Sequence, residues 1–308
     1  LQEVAFTLAA GIAYVEETLK LGIAVDDFAP RMSFYFVSQI DFIEEVAKFR
    51  AARRVWARVM KERFGATKPE SMRLRFHCQT AGASCTAREP LNNIARTAIE
   101  ALAAVLGGAQ SLHTNGYDEA LSIPSEPAMK IALRTQQIIA EETGVGGTID
   151  PLAGSYAVET LTAEIERGCF DYFAEIDKRG GVVACIDDNF FQTEIADAAY
   201  DLHMRKDRHE REIVGVTKYR DDSANPPVEL HHVDESAAHR QLERLARTKA
   251  RRDRRAVDAA LGDIVRVAKT DENLMPATIA AVRARATEGE IINALRPVFG
   301  SYVETPVF

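Results

Sequence analysis

The chain has 308 residues, of which 46% are hydrophobic and 27% charged, and it carries a formal net charge of −8. These proportions are those of an ordinary globular protein with one large domain, or a domain and a smaller appendage. They argue against a general nucleic-acid binder, and no apolar run reaches the roughly 18 residues that a bilayer-spanning helix needs. The four cysteines form no Cys-x-x-Cys pair, so the sequence predicts neither a disulfide framework nor a zinc cluster. Such scattered cysteines are typical of a reducing compartment, and we therefore expect a cytoplasmic protein.

The first part of the chain predicts a helix, a strand and a second helix. The sequence begins without a methionine and enters a helical pattern at once, so we interpret it as a fragment. The first helix covers about 3–21 and ends at Gly22, a strand follows at 31–37, and Asp41 is the predicted N-cap of a helix to about Arg63. Apolar residues recur at helical spacing in this second helix and are predicted to be core: Phe42, Val46, Phe49, Trp56 and Met60.

The strands predicted at 31–37, 72–79 and 110–114 carry polar side chains where a buried strand would be aliphatic. Alternation places on one face of the first two strands the polar residues Arg31, Ser33 and Tyr35, and Arg73, Arg75, His77 and Gln79. A long amphipathic helix follows each strand and would cover the other face. The pattern therefore predicts that the polar face lines the interior of a sheet or barrel and binds a ligand. Edge strands with a solvated face are the alternative.

The alternation of strand and helix, three times over with short connections, predicts parallel β/α units with right-handed crossovers. A complete eightfold barrel needs about 250 residues, whereas the alternation fades soon after residue 150. We therefore predict an α/β fold, the C-terminal half of a (β/α)8 TIM-type barrel followed by a helical C-terminal segment. The predicted parts are the half barrel at 1–155, a helical extension packed on it at 156–220, a connection at 221–235 and the C-terminal helical segment at 236–308.

Three other motifs favour structure over chemistry. The glycine cluster 144–147 follows a helix instead of a strand, so a helix stop accounts for it better than a nucleotide loop. His209-Glu210 lacks the second histidine of a zinc-protease helix, and the adjacent His231 and His232 point to different faces, so no metal site is expected. The basic run 249–255 could bind phosphate-rich partners, but its acidic neighbours favour a solvated helix face.

Several motifs, in order along nearly the whole chain, carry a resemblance to a known family. They are FAPRMSF from Phe28, AKFRAAR from Ala47, FHCQTAG from Phe76, QSLHTN from Gln110 and DPLAGSY from Asp150. No single piece is specific, but the ordered set closely resembles the substrate-binding large subunit of the adenosylcobalamin-dependent acyl-CoA mutases, the methylmalonyl-CoA mutase family.

The resemblance implies a role for the polar strand faces, since in this family the acyl-CoA is threaded along the axis of the barrel. Arg31, Ser33 and His77 would bind the CoA moiety. The implied adenosylcobalamin residues are Glu3 and Gln79; Gly82 and Ala83, which would let the corrin ring approach; Gln110, Asn115 and Glu119, which would hydrogen-bond the adenosyl group; and Ala120 and Ile123, which would face the corrin ring.

The implied activity is that of an isomerase, an intramolecular transferase that rearranges a carbon skeleton by a radical 1,2-shift of the methylmalonyl-CoA/succinyl-CoA type. No catalytic residue is assigned in this fragment, because the family's acid histidine, part of a Tyr-His pair, is expected just before Leu1. The arginine that binds the substrate carboxylate would also lie upstream, so the fragment alone is expected to be inactive. Ala83 replaces a tryptophan common in methylmalonyl mutases, which favours another acyl-CoA: isobutyryl-, ethylmalonyl- or 2-hydroxyisobutyryl-CoA.

The C-terminal part implies a partner. No Asp-x-His-x-x-Gly cobalt-binding motif occurs in the chain, so the resemblance implies a separate cobalamin-binding small subunit and an oligomeric enzyme. A non-catalytic structural partner subunit of such a mutase is the alternative. Such a chain would be free to lose the ligand-facing polar residues, yet Gln79, Gln110, Asn115 and Glu119 are all present.

Overall fold

The computed structural model describes residues 1–221, 228, 230–231 and 234–304. They divide into two compact units, the described residues up to 231 and residues 234–304. The predicted connection at 221–235, with His232, lies largely outside the described residues, as do the last four residues. The fold is mixed α/β, mostly helical with a small parallel sheet, as the sequence indicates. The four-part division of the chain stays a prediction.

The first unit contains three strands and nine helices among its described residues. In chain order they are α1 Gln2–Lys20, α2 Val25–Phe28, β1 Phe34–Ser38, α3 Phe42–Glu62, α4 Pro69–Met72, β2 Phe76–Thr80, α5 Asn92–Leu106, β3 Ser111–His113, α6 Glu126–Glu141, α7 Tyr156–Lys178, α8 Val182–Asp187 and α9 Phe190–Asp207. Three short 3-10 turns lie at Ala29–Arg31, Gly82–Ser84 and Val145–Gly147.

The three strands form one parallel sheet in the order β1-β2-β3. Phe34 pairs with Phe76, and Cys78 pairs with Leu112, so each strand lies beside the next one along the chain. A long helix connects each pair, which confirms the predicted parallel β/α units. In the described part of the chain, the outer edges of β1 and β3 are unpaired.

The first two strands begin later than the alternation predicts. The 3-10 turn Ala29–Arg31 contains Pro30, so Arg31 lies in a turn before β1 and not on the strand. The short helix Pro69–Met72 likewise precedes β2, and Arg73 and Arg75 lie between that helix and the strand. Proline favours the first turn of a helix, and this local preference overrides the strand pattern at both sites.

Aromatic side chains form the interface between the buried face of the sheet and α3. The ring centroids of Phe36 and Phe76 are 5.4 Å apart, and Phe49 of α3 stacks on Phe76 at 5.2 Å. Trp56, 1% exposed, contacts the Phe34 ring edge-on at 4.8 Å. The predicted core face of this helix is confirmed, with Phe42 at its partly buried margin. α7 packs against α1 and α3 on the outside of this layer.

The second unit contains four helices among its described residues: α10 Glu235–Arg251, α11 Arg254–Val267, α12 Leu274–Arg283 and α13 Glu288–Phe299. Ile264, Ala281 and Ile291 form its small core. Within the predicted basic run, the Arg252 side chain is 3% exposed and pairs with Glu290, while the neighbouring residues are exposed. No helix in the described part of the chain is long and apolar enough to cross a membrane.

Candidate functional site

A row of hydrogen-bonded polar side chains crosses the open face of the sheet. Tyr35 of β1 is 50% exposed, and its hydroxyl donates to Oε1 of Gln79 on β2. Gln79 Nε2 donates to Oδ1 of Asn115, which follows β3, at 3.1 Å. His77 Nδ1 lies 2.7 Å from the hydroxyl of Ser111 on β3. Strand alternation therefore produces the predicted polar face, opposite the buried aromatic face.

The polar row leads to the carboxyl ends of the strands, where three predicted cofactor residues meet. A Cβ atom added at Gly82 would lie 3.3 Å from Glu119 Oε1 and 3.6 Å from Asn115 Nδ2. Asn115 is 2% exposed, and its backbone N–H and Nδ2 donate to the hydroxyl and carbonyl oxygen of Thr80, at 3.0 and 2.9 Å. The Asn115 amide, the Glu119 carboxylate and the backbone of Gly82 therefore lie together at one corner of the sheet, which we call the polar corner.

Apolar side chains extend from this corner along the loops that follow β2 and β3. Ala83 and Ala120 are exposed, and Ile123 is 59% exposed. The loop at 115–125 is braced by Asp118, whose Oδ2 accepts from the backbone N–H of Ser125 at 2.8 Å. Ala83 therefore lies next to Gly82 in the turn after β2, and Ala120 and Ile123 lie in the loop after β3, which has a fixed internal contact.

Gln110 lies at the other end of the strands. Its Oε1 accepts from the backbone N–H of Phe76 at 2.7 Å, and its Nε2 donates to the Gly108 carbonyl at 2.7 Å. Strand β3 lies between Gln110 and Asn115, and a strand rises about 3.3 Å per residue. The structure therefore does not bring Gln110 together with Asn115 and Glu119. Its role toward the adenosyl group stays a prediction.

Arg31 and Ser33, the predicted CoA residues, are both exposed and precede β1. They therefore lie at the amino ends of the strands, whereas Gly82 follows the carboxyl end of β2. His77, the third predicted CoA residue, lies between the two ends on the open face. A ligand that contacts all of them has to run along the strands.

Glu3 is part of an ion-pair network around the buried Lys48. Its side-chain partners are Val37 and Lys48, and not Asn115 or Glu119 of the polar corner. Its Oε1 accepts from the Val37 backbone N–H and its Oε2 from Lys48 Nζ, both at 2.6 Å. Lys48, 3% exposed, also donates to Glu45 Oε2 at 2.5 Å and to the Val37 carbonyl. The two carboxylates raise the pKa of Lys48 against the effect of its burial. This network joins α1, β1 and α3, and a cofactor role of Glu3 stays a prediction.

Sequence reasoning assigned no role to two buried polar residues behind this site. Asn93 and Glu100 of α5 are 0% exposed, and both hydrogen-bond the loop that contains Gly82 and Ala83. Their spacing of seven residues, two helical turns, is the available signal, but it equally fits a solvated helix face. The structure distinguishes a buried polar face from a solvated one, because Asn93 and Glu100 face the protein interior.

The chemistry of the site is that of binding and positioning. Its side chains are amides, hydroxyls, an imidazole and one carboxylate, and the nearby thiol of Cys78 lies on the buried face, where burial raises its pKa to about 12. Among the described residues, no group of three His, Cys, Asp or Glu side chains could hold a metal ion. A neutral polar track suits a long polar ligand that needs hydrogen bonds and exclusion of water.

Comparison with known proteins shows the family. The model of the family described as methylmalonyl-CoA mutase matches residues 1–301. The chain is 55% identical, over all of its length and 55% of the relative's, to the 2-hydroxyisobutanoyl-CoA mutase large subunit of Aquincola tertiaricarbonis. It is 44% identical to the methylmalonyl-CoA mutase of Rhizobium meliloti, over 99% of this chain and 43% of that protein. The chain spans about half the length of the curated relatives it matches. On this match over nearly its full length, the chain belongs to the methylmalonyl-CoA mutase family.

Proposed function

We propose that this chain is the acyl-CoA-binding and adenosyl-binding part of a cobalamin-dependent acyl-CoA mutase. The observation that carries the proposal is the row from Tyr35 through Gln79 to Asn115, which ends beside Gly82 and Glu119. We further propose that the sheet is part of a (β/α)8 barrel, with the open polar face directed to its axis. The parallel order of the strands and their unpaired outer edges support this arrangement.

The residues at the carboxyl end of the sheet fit adenosylcobalamin. Gly82 leaves free the space that a Cβ would fill beside Glu119, so a flat ring system can approach the backbone there. We propose that Glu119 and Asn115 bind the adenosyl group, Gln79 contributes from the polar row, and Ala83, Ala120 and Ile123 face the corrin ring. When bound, adenosylcobalamin supplies a carbon radical that can exchange a hydrogen atom with the substrate.

The chain's own residues supply orientation and shielding. The Thr80 hydroxyl accepts from the Asn115 backbone N–H and the Thr80 carbonyl from its side-chain Nδ2, so the Asn115 amide is already oriented before a ligand binds. Arg31 is proposed to pair with a CoA phosphate, as guanidinium groups do well, and Ser33 and His77 to hydrogen-bond along the pantetheine chain. We propose that the acid histidine and any carboxylate-binding arginine are outside this chain.

We propose a separate cobalamin-binding chain as the partner of an oligomeric enzyme, in keeping with the words "large subunit" in the name of the 55%-identical relative. The four cysteines are free thiols, which supports a reducing compartment and hence a cytoplasmic location.

The substrate is proposed to be a CoA thioester other than methylmalonyl-CoA. Ala83 is a small, exposed residue beside the polar corner, and the 55%-identical relative is named for 2-hydroxyisobutanoyl-CoA. The second candidate remains the methylmalonyl-CoA/succinyl-CoA reaction, which the 44%-identical relative's name supports. A non-catalytic structural subunit is less well supported, because it would not require the polar row.

The test uses the full-length protein that contains this chain, with its cobalamin-binding partner. We expect turnover of one of methylmalonyl-CoA, ethylmalonyl-CoA, isobutyryl-CoA or 2-hydroxyisobutyryl-CoA. Glu119→Ala should weaken adenosylcobalamin binding by roughly 10- to 100-fold, because a hydrogen bond to a charged group contributes about 1.5–3 kcal/mol. Glu141→Ala, at an exposed position on α6, is the matched control. Full affinity and turnover in Glu119→Ala would contradict the proposal.

A further inference from the structure

Helix α5 presents a buried polar face to the loops of the proposed cofactor site. Asn93, Thr97 and Glu100 follow one another at four- and three-residue spacing and are 0%, 2% and 0% exposed. Burying such groups is unfavourable unless they find hydrogen-bond partners. Asn93 and Glu100 find them in the backbone of the loops, whereas the Thr97 hydroxyl is buried without a partner among the described residues.

Asn93 connects both loops. Its Oδ1 accepts from the Thr86 backbone N–H at 3.0 Å, and its Nδ2 donates to the carbonyl oxygens of Thr86 and Tyr117, both at 2.9 Å. Thr86 closes the segment that contains Gly82, and Tyr117 lies two residues before Glu119. Arg96 donates to the same Oδ1 at 2.7 Å and so fixes the amide orientation. One side chain thus sets the distance between the two loops.

Glu100 holds the first residue of the same segment. Its Oε2 accepts from the Ala81 backbone N–H at 3.0 Å, a donor that it shares with the Ser38 carbonyl at 2.8 Å. Its Oε1 is buried and has no hydrogen-bond partner in the part of the chain that the structure describes. Burial raises the pKa of Glu100 to about 7, and Glu45 of α3 acts in the same direction. The opposing groups are the Ser84 hydroxyl, the Ala81 N–H and Arg96 on α5.

Two cysteines also face this carboxyl. Cys85 lies in the loop segment and Cys78 on β2, and Glu100 contributes to the raised pKa of each. With thiol pKa values of about 11 and about 12, both stay neutral at physiological pH. Glu100 is therefore the group in this cluster whose charge changes near pH 7.

We propose that Asn93 and Glu100 are positioning residues for the cofactor: from behind, they hold segment 81–86, which carries Gly82 and Ala83, against segment 115–125, which carries Glu119. Neither side chain reaches the open face, so each acts through the backbone of the loops. The inference rests on the proposed function, because it takes these segments to be the adenosylcobalamin site. It assigns to α5 a role beyond packing on the sheet.

The experiment compares Asn93→Ala, Glu100→Ala and the conservative Glu100→Gln with Thr97→Val in the full-length protein. Thr97→Val is the matched control, since it lies on the same buried face but, among the described residues, has no hydrogen bond to the backbone of either loop. Amide hydrogen exchange of segments 81–86 and 115–125 is measured without cofactor, adenosylcobalamin affinity is measured by titration, and kcat and KM are measured with the CoA thioester that is turned over.

For Asn93→Ala we expect exchange at least about tenfold faster in both segments and cofactor affinity weaker by about tenfold, from the loss of one or two net hydrogen bonds. The KM for the thioester should not change, because Arg31 and Ser33 lie at the other end of the strands. Glu100→Gln keeps volume and an acceptor for the Ala81 N–H. It should therefore fold and keep most of the cofactor affinity, whereas Glu100→Ala, which removes the acceptor, should weaken the affinity by about tenfold and speed exchange in segment 81–86.

The possible outcomes separate this inference from the proposed function. Unchanged exchange and affinity in Asn93→Ala and Glu100→Ala, with weakened affinity in Glu119→Ala, would overturn the positioning role and leave the cofactor site in place. Faster exchange with full cofactor affinity would overturn both the positioning role and the assignment of these segments to the cofactor. If Asn93→Ala does not fold, the two Glu100 variants decide: equal exchange in segment 81–86 and equal cofactor affinity in Glu100→Ala and Glu100→Gln would contradict the inference.

Discussion

At the scale of single residues, Lys48 is buried between the carboxylates of Glu3 and Glu45. Glu45 and Lys48 are 4% and 3% exposed, and burial raises the pKa of Glu45 while Lys48 lowers it. A buried charge is tolerated only while its partner is present. The sequence does not reveal this network, because a Glu-x-x-Lys pair on a helix normally indicates a solvated face.

Lys48→Met is therefore expected to destabilise the protein strongly. Removing the cation leaves two carboxylates without compensation, which costs about 3–5 kcal/mol when a buried pair is broken. Lys20→Met is the control, since the Lys20–Glu17 pair is solvent-exposed on both sides and exposed pairs contribute at most about 1 kcal/mol. Thermal unfolding of the full-length protein measures the stability of both variants. Equal melting temperatures for Lys48→Met and Lys20→Met would contradict the role of the network.

The titration of Glu100 predicts a dependence of stability on pH. Its pKa is about 7 in the folded protein, against a reference value of 4.5. Between these values the folded state keeps a proton that the unfolded state releases, so this group makes the protein less stable as pH rises from about 4.5 to 7. Glu100→Gln should flatten the melting temperature over this window, and Glu62→Gln, at an exposed position, should not. Parallel curves for all three proteins would refute the assignment.

At the scale of elements, α1 approaches the sheet through a glycine. A Cβ atom at Gly11 would lie 2.7 Å from the Phe34 ring and 3.2 Å from the Trp56 ring. We expect Gly11→Ala to destabilise by about 1–3 kcal/mol, as overpacking of a core does. Gly262→Ala in α11, where the added Cβ meets no atom within 4 Å, should instead stabilise by about 0.5–1 kcal/mol. Chemical denaturation distinguishes the signs, and stabilisation by both would contradict this packing.

The sequence predicts elements with a clear period and misses features set by neighbours. The polar face of β2 follows from alternation alone, and the core face of α3 follows from helical spacing. The starts of β1 and β2 cannot be predicted in this way. Pro30 and Pro69 each lie at the start of a short helical turn that extends into the stretch where the sequence alternates. The sequence also does not predict that Gln110 and Asn115 lie at opposite ends of β3. The resemblance assigns both residues to one ligand group but gives no distance between them.

At the scale of the whole molecule, the sheet has two unpaired edges in the described part of the chain and a polar face open to solvent. Unpaired strands readily pair with other chains. We expect the isolated chain to aggregate and to be inactive, whereas the full-length protein that contains it should be monodisperse in light scattering. An isolated chain that stays monomeric and melts cooperatively would contradict the half-barrel proposal.

The strand order also determines how the molecule can assemble. Each strand pairs with its neighbour along the chain, across about 34 to 42 residues, so every pairing closes a loop of similar, moderate length. The entropy of loop closure rises only slowly with length, so no single pairing is much less favourable than the others. During synthesis, β1 can pair as soon as β2 has emerged, and β3 then adds to an existing edge. The sheet can therefore grow strand by strand, in the direction of translation.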